Sequence, residues 1–151
     1  MLLFHVAVSL LAIALGLWVM IGMFKGQRQP QATAWFLATT VLTSLTGFAL
    51  PAARLLPSHG IGAISLALLA VALYARYLAG LAGRWRGTYV GTALASLYLN
   101  VFVLVVQAFR QIPPLHTLAP NQSEPPFALA QLLLLVAFVY AGRRAQRGFP
   151  A

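Results

Sequence analysis

Long apolar segments separated by short polar breaks constrain the fold of this chain more than any other feature of its sequence. Each segment has about 20 residues, the number that an α-helix needs to cross the hydrocarbon core of a bilayer. The sequence of 151 residues is 61% hydrophobic and only 7% charged. A soluble domain carries about 25% charged residues, because they solvate its surface. The sequence therefore predicts an all-α integral membrane protein.

The polar breaks divide the chain into a predicted bundle of five transmembrane helices, all within one membrane domain over residues 1–151. The first break contains Lys25, Arg28 and Pro30, none of which favours continuation of an apolar helix. The first span lacks a basic start and a small-residue cleavage site, so we expect it to be retained. The predicted spans cover residues 2–24, 33–55, 60–81, 88–110 and 126–142.

Basic residues are distributed unevenly between the two sides that five spans would separate. One side receives Arg76 together with the basic residues of loops 25–32 and 82–87 and of the C-terminal tail, eight in all. The other side receives Arg54 and Arg110. Because short loops rich in Lys and Arg stay in the cytoplasm, the N-terminus is predicted to lie outside and the C-terminus in the cytoplasm.

The net charge of +9 raises the question of which anions these basic residues contact. They follow the ends of apolar segments and do not share one aromatic-rich face, so the usual nucleic-acid footprint is absent. We expect contact with lipid headgroups and no binding of nucleic acid. Arg76, roughly a turn and a half inside the third span, is expected to reach headgroups, to bond carbonyl groups or to meet an acid from a ligand or partner.

Polar side chains concentrate towards the predicted outer side, and two interpretations remain open for them. They pack helices together through hydroxyl and amide hydrogen bonds, or they line a polar cavity that opens outward. Asn100 is predicted to point into the bundle, because an unpartnered amide near the bilayer midplane costs several kcal/mol. The candidate residues of this outer polar face are His5, His59, His116, Asn100, Gln107, Gln131, Glu124 and Arg110.

Two of the histidines are candidates for cofactor ligands. His5 and His59 are predicted near the outer ends of neighbouring helices, where two imidazoles can hold a b-type haem. They can instead bind a metal ion, with His116 as a third ligand. Hydrogen bonding without any cofactor is the structural alternative. The sequence contains no cysteine, which excludes thiolate metal sites and Cys nucleophiles.

No established enzyme constellation is present in the sequence. Glu124 and His116 are the one pair that can be considered for acid–base work. However, Glu124 directly precedes Pro125 and Pro126 at a predicted helix start, where an acid interacts favourably with the helix dipole. We therefore expect a structural role for Glu124 and no enzymatic activity, with catalysis by this pair as the alternative.

Three segments of the chain carry a resemblance to a known family. They are Leu42–Phe48 (LTSLTGF), Leu97–Phe109 (LYLNVFVLVVQAF) and Gln122–Phe127 (QSEPPF). Together they resemble a family of short uncharacterised polytopic inner-membrane proteins of bacteria. The resemblance extends over most of the chain and implies a multi-pass location in the bacterial inner membrane, without a known activity.

These observations lead to two functional hypotheses. The first is a non-enzymatic inner-membrane component, an accessory subunit, small-ligand binder or transport component that acts through its outer polar face. The second is a small membrane redox protein that binds b-type haem or a metal through His5 and His59. Five helices in 151 residues enclose little interior volume, so a homo-oligomer or a larger membrane complex is expected in either case.

Overall fold

The computed structural model describes residues 1–51 and 57–150, with the Ser58 side chain left out. The described residues are almost entirely helical and contain no β-strand. Five helical segments among them are long and apolar enough to cross a membrane, namely Leu2–Phe24, Pro30–Ala49, His59–Leu78, Arg84–Gln111 and Pro125–Gly148. The elements are α1 (Leu2–Phe24), α2 (Pro30–Ala49), α3 (Pro57–Leu73), a π-helical turn (Tyr74–Leu78), α4 (Arg84–Gln111), α5 (Pro113–Leu118) and α6 (Pro125–Gly148).

The helices extend beyond the apolar segments that predicted them. α1 has the predicted bounds, whereas α4 begins at Arg84 rather than residue 88, and α6 continues to Gly148 rather than residue 142. Arg, Ala and Gln are good helix formers, so these helices continue after their apolar part ends. Hydropathy predicts the end of the apolar part of a helix, but the backbone hydrogen bonds of the helix can continue beyond that end.

The second and third helices differ from their predictions mainly at the ends where prolines occur. α2 begins at Pro30 rather than residue 33, in the first-turn position where proline is favoured. It ends at Ala49, before Pro51 and six residues short of the predicted end at residue 55, which itself lies outside the described residues. α3 begins at Pro57 rather than residue 60 and ends its α-helical part at Leu73. The short helix α5 lies within the segment that was predicted to be a break.

A π-helical turn follows α3 and replaces the predicted continuation of that helix to residue 81. In this turn the Ala79 N–H donates to the Tyr74 carbonyl oxygen at 2.8 Å, a step of five residues instead of four. Such turns are uncommon and frequently occur at functional sites. Arg76 lies inside this turn.

The helices pack with α2 between α1 and α3, while α4 contacts α1, α3 and α6. α6 also packs against α1, which closes the bundle. Gly16 allows α1 to approach closely, because a Cβ at this position would lie 2.7 Å from Cε2 of Phe36 and would also meet Leu97. Small residues at such crossings permit the close packing on which helix association in a membrane depends.

One end of the bundle, called here the basic end, is joined by contacts between α1, α4 and the C-terminal end of α6. Arg86 Nη1 donates to the carbonyl oxygens of Gln146 at 3.0 Å and Phe149 at 2.7 Å. The Arg144 guanidinium lies 5.1 Å from the centre of the Phe24 ring. The basic end contains Lys25, Arg28, Arg76, Arg84, Arg86, Arg143, Arg144 and Arg147. The opposite end, called the histidine end, contains His5, His59, His116, Glu124 and Arg110.

The buried core lies closer to the basic end than to the histidine end. By contrast, the first residues of α1 are open, and Leu3 is 84% exposed. The packed half therefore gives the bundle its stability, while the helices at the histidine end present more surface. The core includes Val19, Met23, Phe36, Leu37, Leu69, Ala72, Ala75, Tyr89, Val90, Ala93, Leu97, Ala145 and Phe149.

Gly16→Ala is expected to destabilise the bundle, since the added methyl group collides with buried Phe36 and Leu97. Overpacking of this kind costs about 1–3 kcal/mol. Gly142→Ala is the matched control, because nothing lies within 4 Å of a Cβ there and alanine is the better helix former. Thermal unfolding of the detergent-solubilised variants, followed by size-exclusion chromatography, should give a lower midpoint for Gly16→Ala alone. Equal midpoints would contradict the proposed helix contact.

Candidate functional site

Four consecutive hydroxyl groups in the middle of α2 donate to carbonyl groups of the same helix, namely those of Thr39, Thr40, Thr43 and Ser44. Thr40 Oγ1 donates to the Phe36 carbonyl at 2.7 Å, and Thr43 Oγ1 donates to the Thr39 carbonyl at 2.8 Å. Ser44 adds a contact to α3, with its Oγ 3.4 Å from that of Ser65. These hydroxyls are buried and have partners. Their arrangement therefore supports the packing interpretation of the polar residues in α2.

His5 is held by α2 at the histidine end. Its Nδ1 lies 2.8 Å from Thr46 Oγ1, which itself donates to the Leu42 carbonyl oxygen at 2.8 Å. Because the hydroxyl proton is used towards Leu42, Nδ1 of His5 is the donor and Thr46 Oγ1 the acceptor. This assignment rests on the hydrogen-bond pattern. It leaves Nε2 of the neutral imidazole as the nitrogen with a lone pair.

His59 contacts a different side of α2. Its ring centre lies 5.6 Å from that of Phe48, whereas His5 contacts Thr46. Thr46 and Phe48 are two residues apart in α2. At about 100° per residue, their side chains leave the helix about 200° apart. α2 also lies between the helices that carry the two histidines. The pair therefore does not fit one haem iron, which needs both imidazoles to face each other across it.

The other histidine does not complete a metal site with these two. His116 is in α5 and is exposed. Within residues 1–51 and 57–150, no group of three or more His, Cys, Asp or Glu side chains is arranged to hold a metal ion. The geometry supports neither of the two cofactor hypotheses.

The amides predicted to line an outer cavity lie on different sides of α4. Tyr98 of α4 faces α6, with its ring centre 5.6 Å from that of Phe138, and Gln131 of α6 donates to the Phe102 carbonyl at 3.3 Å. Asn100 is two residues from both Tyr98 and Phe102, hence about 200° around the helix from each. Gln107 and Arg110 are exposed. The structure therefore does not bring Asn100 and Gln131 to one site.

Asn100 and Gln131 still carry buried atoms of chemical interest. Asn100 Nδ2 and Gln131 Oε1 are buried, and neither has a hydrogen-bond partner among the described residues. The amide of Gln122, which was not among the predicted residues, donates to the Val106 carbonyl at 2.9 Å and ties the loop to α4. These single contacts indicate that the amides mainly join helices and loops.

Glu124 closes the turn that leads into α6. Its Oε1 accepts the Asn121 N–H at 3.1 Å, and its Oε2 accepts the Ser123 N–H at 3.0 Å. Desolvation by neighbouring atoms raises the pKa of the Glu124 carboxyl, but these N–H groups outweigh it and hold the pKa below its ordinary value. Such a carboxylate stays ionised and is already engaged by backbone donors, which favours the structural role over acid–base work with His116.

A cluster of polar groups at the basic end surrounds Arg76, with Thr33 and Tyr89 buried and Tyr77 exposed. Arg76 Nη2 donates to the Arg28 carbonyl oxygen at 3.5 Å, and Thr33 Oγ1 donates to the same oxygen at 3.3 Å. The guanidinium carbon lies 5.2 Å from the centre of the Tyr89 ring and 5.8 Å from that of the Tyr77 ring. We call Arg76, Tyr77, Tyr89, Thr33 and the Arg28 carbonyl the Arg76 cluster.

Donors in this cluster lack acceptors. Arg76 Nη1 and the Tyr89 hydroxyl are buried and have no hydrogen-bond partner in the described part of the chain. Tyr89 is completely buried. The neighbouring Gln29 has a left-handed backbone conformation, with φ at 44°, and its Oε1 is also buried without a partner among these residues. The guanidinium and the tyrosine hydroxyl together offer one positive charge and two hydrogen-bond donors, which can bind an anion.

The sequence pointed to Arg76 but not to its surroundings. A cation inside a predicted span is evident from the sequence, and an acid from a ligand or partner was one of the three kinds of partner expected for it. Tyr89 and Thr33 gave no such signal, because they reach Arg76 only through the packing of α2 and α4 against the π-helical turn. The site residues predicted from the sequence belong to the histidine end, whereas the unsatisfied charge of Arg76 lies at the basic end.

Comparison with protein-family models, curated proteins and solved structures finds no match to this chain. Among the described residues, the Arg76 cluster combines burial, charge and unsatisfied donors in one place.

We expect Glu124 to stabilise the protein in a pH-dependent way that Glu124→Gln removes. Because the folded pKa is lowered, the stabilisation is present above the ordinary glutamate pKa of about 4.3 and is lost as the pH falls through the folded pKa. Glu124 is the only acidic side chain in the sequence, so other carboxylate side chains do not obscure the comparison. Thermal unfolding between about pH 7 and pH 3 should show a steeper acid-side loss for the unmodified protein. Parallel pH profiles would contradict this role.

Proposed function

We propose that this chain is a multi-pass protein of the bacterial inner membrane, with its N-terminus outside and its C-terminus in the cytoplasm. Five helices of suitable length and hydropathy support the spanning arrangement. The basic end supports the orientation, because it gathers eight basic residues and such residues favour the cytoplasmic side. At the other end is Arg110, whereas Arg54, which the sequence predicts on that side, lies outside the described residues. The resemblance to bacterial inner-membrane proteins is consistent with this location.

We further propose that the protein is a non-enzymatic small-ligand-binding or transport component rather than a catalyst. The observation that supports this role is Arg76, a permanent cation whose Nη1 is buried without a partner among the described residues. The one acidic side chain of the sequence, Glu124, is at the histidine end. An ionisable residue inside a spanning helix marks a functional site by default, so the proposed ligand-facing group is at the basic end instead of the outer polar face.

The basic residues of the basic end also indicate which partners the protein has. The exposed arginines of the basic end have lipid headgroups as their natural counter-ions, which makes the bilayer itself the first partner. Association into a homo-oligomer or a larger membrane complex remains part of the proposal, because a small bundle leaves much apolar helix surface open. Nucleic acid is not a proposed partner.

The orientation can be tested by labelling single cysteines, because the sequence contains none. Thr117 is exposed at the histidine end, and Ala82 is exposed at the basic end. We expect a membrane-impermeant maleimide to label Thr117→Cys in intact spheroplasts and Ala82→Cys only after lysis. Neither substitution changes the charge that governs topology. The reverse labelling pattern would overturn the proposed orientation.

The ligand-binding role predicts that a small molecule co-purifies with the protein through Arg76. The protein and its Arg76→Gln and Arg84→Gln variants would be purified in the same detergent, and organic extracts compared by mass spectrometry. We expect a stoichiometric compound in the unmodified protein and in Arg84→Gln, and its loss from Arg76→Gln. Arg84 is the matched control because it is exposed at the same end. Identical extracts from all three proteins would contradict the role.

A further inference from the structure

An apolar groove runs along the outside of the bundle between α2 and α3. It has a volume of about 470 Å³ and is lined by six residues of α2, from Ala34 to Leu45, and by Leu73 and Tyr77. The α2 residues recur at helical spacing and therefore share one face. Ala34 and its neighbour one turn on, Ala38, are small, which produces the depression. The eleven-residue step from Ala34 to Leu45 corresponds to about 16 Å of helix length.

The groove ends beside the Arg76 cluster. Tyr77 lines the groove, and the centre of its ring is 5.8 Å from the Arg76 guanidinium carbon. An apolar groove with one cation at its end complements an amphipathic anion. The apolar tail of such a molecule requires apolar contacts, and its charged head requires a counter-ion. The groove and the cluster therefore complement the two parts of one molecule.

We propose that the α2–α3 groove and Arg76 form a single binding site for an acyl-chain anion. The acyl chain lies along α2 between Ala34 and Leu45, and the anionic oxygens of its head group accept hydrogen bonds from the Arg76 guanidinium. A free fatty acid and an anionic phospholipid share this chemistry. The inference deepens the proposed ligand-binding function and rests on it, because acyl chains are the molecules that a groove facing a bilayer meets.

The aromatic residues around Arg76 indicate how the head group reaches it. The guanidinium contacts both tyrosine rings, but Tyr89 is completely buried whereas Tyr77 is 53% exposed. The core therefore does not fix Tyr77, and in the proposed site its side chain moves aside for the head group. The buried Tyr89 ring stays in place beneath the guanidinium and keeps its position at the end of the groove.

The charge of the chain leaves this anion as the available counter-ion for Arg76. The sequence contains one acidic side chain, Glu124, and it accepts N–H groups of its own turn at the histidine end. The Arg28 carbonyl accepts one hydrogen bond from Nη2 at the long distance of 3.5 Å. The Arg28 carbonyl is a dipole and does not neutralise the charge of the half-buried Arg76 side chain, whereas an anionic head group does.

The test is native mass spectrometry of the full chain released from detergent after incubation with three probes. Dodecanoate has the chain and the charge, dodecanol has the chain alone, and didodecanoyl phosphatidylglycerol carries the charge on a phosphate. We expect one retained equivalent of dodecanoate or of the phospholipid and much weaker retention of dodecanol. Retention of only the carboxylate identifies a free fatty acid as the ligand type, and retention of the phospholipid identifies a membrane lipid.

Two matched pairs of variants locate the site. Arg76→Gln should weaken binding about tenfold or more, the usual effect of losing a charged hydrogen bond, whereas Arg84→Gln should not change it. Ala38→Phe fills the groove, and Ala67→Phe adds the same side chain at an exposed position of α3 outside the groove. Ala38→Phe alone should abolish retention, and this pair decides the matter if Arg76→Gln does not fold.

Two results would overturn the inference. One is equal retention of dodecanol and dodecanoate, and the other is retention by Ala38→Phe equal to that by Ala67→Phe. Because the measurement uses detergent-solubilised protein, it does not depend on the orientation tested by cysteine labelling. A co-purifying compound that is lost from Arg76→Gln but has no acyl chain would support the ligand-binding function and contradict the acyl-chain inference.

Discussion

A shortage of internal counter-ions shapes the basic end of this protein. The sequence has ten Lys and Arg residues and one acidic side chain, so ion pairing between side chains cannot satisfy the basic residues. Arg86 donates to two carbonyl oxygens at the end of α6, and Arg144 lies over the Phe24 ring. Carbonyl groups at helix C-termini and aromatic faces both carry partial negative charge. They replace carboxylates in holding α1, α4 and α6 together.

The same kinds of partner satisfy Arg76 less completely than its neighbours, although its guanidinium also lies near the Tyr77 and Tyr89 rings. Arg86 makes two hydrogen bonds of ordinary length from one nitrogen, whereas Arg76 makes one long bond and keeps Nη1 buried without a partner among the described residues. At the histidine end, His5 and Glu124 each have a defined contact. The amides of Asn100 and Gln131, which also have a buried atom without a partner among the described residues, are neutral. Unsatisfied charge is therefore concentrated at one position, not spread over the polar residues.

The sequence predicted the all-helical architecture and the number of long apolar helices, because apolar length is a property of each segment alone. It did not predict the helix ends at Arg84 and Gly148, since helical hydrogen bonding continues beyond apolar side chains. It also paired His5 with His59, and the structure separates their contacts because α2 lies between α1 and α3. Which helix lies between which is a property of packing, and local patterns do not contain it. For the same reason Tyr89 could not be connected with Arg76. Orientation, the bacterial inner-membrane location and the family resemblance remain predictions.

The π-helical turn at Tyr74–Leu78 makes this part of the chain sensitive to length. A π-helical turn contains about one residue more than an α-helical turn, which rotates the residues on its two sides by about 100° relative to one another. Deleting one residue here would restore a continuous α-helix and turn Arg76 away from the Tyr89 ring towards a different neighbour. The number of residues in this turn therefore determines the position of the Arg76 guanidinium as much as any neighbouring side chain does. An insertion or deletion at this turn would alter the site more than most substitutions around it.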